Sequence, residues 1–254
     1  MNLCGHSCPA RAIANRPIGL STPDRDLLAR LFSLQGHLIP LPFLTVRLLK
    51  RSFLDLPHAI TLRATQVARK TTTPFRPTKE QLLAAAGKTV PDVIAENLRV
   101  LFCGINPGLY TAAVGHHFAR PGNRFWPALY QSGFTDRLLS PFEERSLLDS
   151  GLGITNVVAQ ATASEADLSK AEFIKGGRRL RSKVQRYQPR ILAVLGVGAY
   201  RSAFARPKAG IGEQDETLAG ACVWVLPNPS GLNANYQLDS LVRLFKELRD
   251  ASLA

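Results

Sequence analysis

The sequence predicts an α/β fold: a three-layer sandwich with a short, mostly parallel sheet flanked by helices. Three observations carry this reading. Four short, nearly continuous apolar runs stand at 98–104 (LRVLFCG), 153–158 (GITNVV), 190–196 (RILAVLG) and 222–228 (CVWVLPN). Strands apolar on both faces suit a sheet covered on both sides. Helical segments separate them, at 123–133, 143–150, 169–188 and 198–206, with a last one at about 236–250, and such alternation is the pattern of parallel α/β sheets. Three of the strands also end in loops of unusual composition, GINPG, TNVVAQAT and LPNPSGLN. Ligands of these sheets bind at the carboxyl ends of the strands.

Regular structure begins at about residue 78. TKEQLLAAAG reads as a short helix with Thr78 as N-cap and Gly87 as stop. The stretch before it differs. Residues 1–75 are rich in Pro, Arg and Leu, with one short helix expected at 24–35, and ARKTTTPFRPTKEQ (68–81) reads as a linker. Two units follow: a basic, poorly ordered N-terminal extension at 1–75 and a folded domain at 76–254. The extension is either a tail without a task or an arm that adds nonspecific affinity for phosphates.

Charge supports a polyanionic partner. The 254 residues carry a formal net charge of +13, with an ordinary 45% hydrophobic content that supports a real core. Residues 1–90 hold thirteen Lys/Arg against four Asp/Glu, a net of +9; residues 91–254 hold nineteen against fifteen, a net of +4. The folded domain is thus only mildly cationic. No apolar stretch is long enough to span a bilayer: GHLIPLPFLTV at 36–46 is short and carries two prolines. No secretory leader is evident in the first twenty residues.

Cys103 and Cys222 sit in apolar runs and read as buried thiols. Cys4 and Cys8 flank His6, but a zinc site needs four good ligands and no second pair is in view. No metal is expected, and a reducing cytoplasm is the default compartment.

The loops carry the chemistry. In GINPG, Gly104 and Gly108 permit close backbone approach and Pro107 fixes the turn. Asn106 is then held at a strand end. Its amide can accept from a water and donate elsewhere, but it does not titrate and is no general base; it can also simply bond its own turn. In LPNPSGLN, residues 228–231 form a rigid turn that presents Leu232. An apolar side chain on a polar tip suits a wedge between base steps, or the first packing residue of the last helix.

GINPG, then GHHFARPGNRFW, then LPNPSGLN, in this order and spacing, resemble the mismatch-specific uracil/thymine-DNA glycosylases. The resemblance covers roughly residues 88–250 and includes SKAEFIKGGRRL (169–180). It implies a uracil-DNA glycosylase-like fold and removal of a base from double-stranded DNA, with no cofactor. A base inside a duplex must be flipped out to be reached. By resemblance, Leu232 fills the vacated stack, and Gly231 and Asn233 meet the partner guanine, with Asn228 and Ser230 shaping that turn. Phe118 is the platform for the flipped pyrimidine. Gly104, Ile105 and Asn156 line the base pocket, and Thr111 sets tolerance for a methyl group. Asn106 positions the attacking water. Other uracil-DNA glycosylases place Asp at the Asn106 position and His at the Asn228 position, so a slower enzyme is implied. Its substrate is uracil opposite guanine, with thymine or ethenocytosine as further candidates, and one small domain needs no second subunit.

Asp92 is the remaining carboxylate of interest, either an N-cap or an aid to the water. His116 and His117 read as pocket-rim or phosphate contacts. Arg120, Asn123 and Arg124 read as phosphate contacts or helix caps. LGVGAY (195–200) lacks the rest of a dinucleotide fingerprint and reads as a tight turn. The rival reading is a mismatch-binding protein with weak catalysis.

Overall fold

A computed structural model describes residues 76–254. The extension 1–75, with the helix expected at 24–35 and with Cys4, His6 and Cys8, lies outside the described residues.

Thr78 caps the first helix, α1 (Lys79–Leu83), as its sequence predicts. Its hydroxyl accepts from the Gln81 N–H at 3.3 Å, and the Gln81 side chain accepts from the Thr78 N–H at 2.8 Å. This reciprocal pair satisfies two otherwise orphaned donors. β1 (Val100–Gly104) follows, buried at every position. The segment after it was expected to be loop, yet Leu109–Val114 forms a short helix, α2, stopped by Gly115 at φ 82°. α3 spans Phe125–Gln131. The helix expected at 143–150 is instead a run of tighter 3-10 turns over Pro141–Ser150. β2 is Leu152–Asn156. α4 (Lys170–Tyr187) begins at a Ser169–Glu172 capping box. β3 (Ile191–Leu195) and α5 (Val197–Phe204) come next. β4 (Gly212–Leu218), β5 (Ala221–Leu226) and α6 (Leu238–Leu253) complete the chain.

The sheet order is β2–β1–β3–β5–β4. The first four strands run parallel, and β4 pairs antiparallel with β5. β4 escapes the sequence reading because GEQDETL alternates exposed and half-buried positions and carries no apolar run. A charged edge strand of this kind resists pairing with other chains. Its turn did leave a signal: Ala219 (φ 50°) and Gly220 (φ 93°) form a two-residue hairpin loop.

Strand alternation sends successive side chains to opposite faces, and two cores result. Val100 and Phe102 face α3 and α6, where Phe102 packs edge-on to Phe125 and Phe134 and stacks on Phe245. Leu101 and Cys103 face α4 and α5, among Leu180, Val184 and Tyr200. The three layers are therefore as expected. Cys103 is a buried free thiol, and burial raises it far above an ordinary thiol. Cys222 is half-buried against the first of these cores rather than fully buried.

The chain leaves β1 to build β2 on one side and then returns to place β3 on the other. Connections therefore diverge beside β1, and the loops after the strands open a crevice there.

Candidate active site

That crevice is a cleft of about 460 Å³. The loops after β1, β2 and β5 line it, with Leu195 at the end of β3. Ten of the eleven residues that the resemblance assigns to the site meet in it: Gly104, Ile105, Asn106, Thr111, Phe118, Asn156, Asn228, Ser230, Leu232 and Asn233. Gly231 and Asp92 are not among its lining residues.

Asn106 is clamped by its nitrogen. Nδ2 donates to the carbonyls of Pro107 (3.1 Å) and Gln160 (3.3 Å) and to Thr162 Oγ1 (2.8 Å). These bonds fix which end of the amide is which, since all three partners accept. No described donor engages Oδ1, so a carbonyl oxygen is held in place at the cleft wall. Thr162 was not anticipated, although the TNVVAQAT loop that carries it was. The sequence gives no sign that it lies against Asn106.

The floor of the cleft is Gly104. A Cβ there would stand 2.5 Å from Asn156 Oδ1 and 3.3 Å from the Phe118 ring. Any side chain would fill the space between those two groups. The close approach expected of Gly108 is absent, for nothing lies within 4 Å of a Cβ there; it serves as the cap position of α2.

Phe118 adopts φ 54°, which is uncommon for an aromatic residue and costs on the order of 1–3 kcal/mol. Two features hold it. Its ring stacks on Phe125 at 4.1 Å and 23°. The preceding residue, His117, donates its main-chain N–H to Glu144 Oε2 at 2.7 Å, while Glu144 Oε1 meets His116 Nδ1 at 2.9 Å. Glu144 is buried and braces the loop from a segment 27 residues away in sequence. Nothing local in the sequence marks it for this task.

The loop after β5 is self-bonded. Asn228 Oδ1 accepts from the Ser230 N–H (3.0 Å), and Asn233 Nδ2 donates to the Asn228 carbonyl (2.9 Å). Leu232 projects from it 73% exposed. Arg124, read from the sequence as a phosphate contact or a helix cap, holds this loop. Its guanidinium donates to the carbonyls of Ser230 (3.1 Å), Asn233 (3.0 Å) and Tyr236 (3.1 Å), and to Gln237 Oε1 (3.0 Å). Gly231 seats here because a Cβ would come within 2.5 Å of the Gly122 carbonyl. Asn123 Oδ1 accepts from the Phe125 N–H at 2.9 Å, at the start of α3, whose cap position is Arg124. Arg120 is exposed at the cleft rim.

Asp92 sits apart. Thr155 Oγ1 donates to its Oδ1 at 2.8 Å, and Lys183 Nζ meets its Oδ2 at 2.5 Å. Both oxygens are engaged, and it precedes a bridge residue, Val93, rather than a helix. Neither the auxiliary role nor the N-cap role finds support in this geometry. The carboxylate that does line the cleft is Glu165, whose pKa is raised by desolvation.

Burial also lowers the pKa of His117, with Glu144, the Pro91 carbonyl and Asp92 pulling it back up and Lys183 pushing it further down. A lowered value means that the unfolded chain takes up this proton before the native one does. His117 therefore subtracts stability as pH falls below its ordinary value of 6.5. Urea denaturation between pH 7 and pH 5 is expected to show that loss, with a shallower slope in His117→Asn.

Among solved structures, the chain is similar to a candidate uracil DNA glycosylase from Methanosarcina acetivorans, determined by solution NMR. The match has 17% sequence identity and a TM-score of 0.46, and covers 65% of this chain and 98% of that one. No helix among the described residues is long and apolar enough to cross a membrane. The family model of the uracil DNA glycosylase superfamily matches residues 91–249, which takes in all five strands and every residue of the cleft. The chain belongs to the uracil DNA glycosylase superfamily, DNA glycosylases that hydrolyse the N-glycosidic bond.

Proposed function

We propose that this protein is a monofunctional DNA glycosylase that flips uracil out of G·U pairs in double-stranded DNA, excises it and leaves an abasic site for base excision repair. One observation carries the reading: the Asn106 carbonyl oxygen, the Phe118 ring and the Asn156 amide share one cleft, with exposed Leu232 at its rim. A water held by Asn106 Oδ1 attacks C1′ as the C1′–N1 bond breaks. The base departs as an anion, and its charge is stabilised by donors in the cleft rather than by a strong base on the water. Phe118, backed by Phe125, stacks on the flipped ring. No lysine stands among the described residues that line the cleft, so the reading includes no lysine nucleophile and no strand cleavage with base release. Residues 76–254 form the glycosylase domain, and the basic extension adds affinity for phosphates.

Leu232 fills the vacated stack, and the turn that presents it meets the partner guanine. Leu232→Ala is expected to slow excision from a G·U duplex by about tenfold or more, because unstacking costs a few kcal/mol, while uracil in a single strand is excised at nearly the original rate. Equal loss on both substrates would remove the wedge role.

The direct test is single-turnover incubation with a labelled duplex holding one G·U pair, then alkaline cleavage of abasic sites. A·U, G·T and single-stranded uracil run beside it. Cleavage strongest with G·U supports the proposal. Retained binding of the G·U duplex without cleavage would point to a mismatch-binding protein instead.

A further inference from the structure

His117 is 1% exposed and lines the cleft, yet the reaction just described gives its ring no task. Its two ring nitrogens face different partners. Nε2 lies 3.0 Å from the Pro91 carbonyl oxygen. A carbonyl only accepts, so Nε2 carries the proton. In the neutral ring Nδ1 is then an acceptor. It faces the Asn156 amide at a long 3.4 Å, and the amide turns Nδ2 toward it. Asn156 Oδ1 is thereby directed over the cleft floor, 2.5 Å from where a Cβ on Gly104 would stand. An asparagine amide has two nearly isosteric orientations, and only its neighbours choose between them.

We propose that His117 is a positioning residue: its neutral imidazole fixes the Asn156 amide so that the cleft presents a carbonyl oxygen, which selects a pyrimidine bearing N3–H over one whose N3 is an acceptor. The choice of substrate rests on the glycosylase reading; the ring–amide bond does not. Uracil carries the N3–H, whereas cytosine, the ordinary partner of guanine, offers a lone pair there. With the amide reversed, Nδ2 would face the base and complement cytosine. His117 thus guards undamaged G·C pairs from within the pocket.

The surroundings keep the ring neutral. Desolvation is the largest influence and disfavours the imidazolium. Glu144, on the 3-10 segment, and Asp92, ahead of β2, act against it, and Lys183, on α4, acts with it. Protonation at lower pH would place a donor on Nδ1, and the amide would reverse.

The first arm of the test needs no catalysis. Long-range proton–nitrogen NMR of the full chain is expected to show the Nε2–H tautomer of His117, with an Nδ1 signal that moves in Asn156→Ala. The second arm measures single-turnover excision from G·U across pH. His117→Leu is expected to lose about tenfold, the worth of one hydrogen bond to the base. His117→Asn, which keeps an acceptor near the place of Nδ1, should recover most of that loss and drop the low-pH decline of the wild type. A protonated Nδ1, or an Nδ1 signal indifferent to Asn156→Ala, would overturn the inference. So would a folded His117→Leu protein with the original rate. If His117→Leu does not fold, the NMR arm decides. A wild type that releases no base sinks the glycosylase reading and leaves the ring–amide bond to the NMR arm.

Discussion

Asn106→Ala is expected to reduce single-turnover excision of uracil from a G·U duplex by about 10²–10³-fold, the order of loss when a positioned group is removed from a reacting water. Duplex binding should change little, because the residue faces the cleft wall and not its rim. The amide does two things at once. Its nitrogen ties the end of β1 to the segment carrying Gln160 and Thr162, and its oxygen remains for the water. Asn106→Asp separates them. A carboxylate keeps an oxygen for the water but places its other oxygen against two carbonyls. That variant should lose about 1–3 kcal/mol of stability while remaining more active than Asn106→Ala. An alanine variant within threefold of the original rate, with its fold intact, would remove Asn106 from the reaction.

The second large effect falls on Arg124. Its guanidinium makes five bonds to the loop that carries Leu232, four of them to main-chain carbonyls. Truncation to alanine leaves those acceptors without their charged donor. It should cost about 2–4 kcal/mol of stability, a fall of roughly 5–15 °C in melting temperature for a domain of this size. Excision from duplex should drop by at least about tenfold, and excision from single strands far less. Arg124→Lys should not rescue it, because a point ammonium cannot serve five acceptors spread along a planar fork. Calorimetry with paired duplex and single-strand assays checks both parts. Unchanged stability would mean that the loop holds its own shape through Asn228 and Asn233.

Much of this architecture could be read from the chain. The four parallel strands announce themselves as apolar runs because burial on both faces leaves no room for alternation. β4 was invisible for the opposite reason: an edge strand needs no apolar face, and GEQDETL has almost none. α2 was hidden inside a stretch whose glycines and proline signalled only a turn. At the cleft, residues on strand ends were legible because loops after parallel strands are where ligands bind. Glu144 and Thr162 were not, since each acts on a segment distant in sequence and no spacing rule reports such a meeting. Arg124 was noticed for its charge, which suggested a phosphate contact or a helix cap and gave no sign of the carbonyls that it holds. A cation beside a cluster of carbonyls looks, in one dimension, the same as a cation awaiting a phosphate.

The strap from Arg124 to the Leu232 loop has a geometric consequence. Arg124 directly precedes Phe125, the ring on which Phe118 is stacked. The residue proposed to enter the duplex and the platform proposed to receive the base are therefore mounted on one rigid frame, with their offset set when the chain folds. Such a frame works as a fixed-jaw gauge. It does not adapt its span to the DNA; the DNA must bring a nucleotide that swings out by the distance the jaws allow. Pairs that open easily meet that distance at little cost, and well-stacked pairs do not. Selectivity would then arise partly from the stiffness of the tool, before any atom of the base is read.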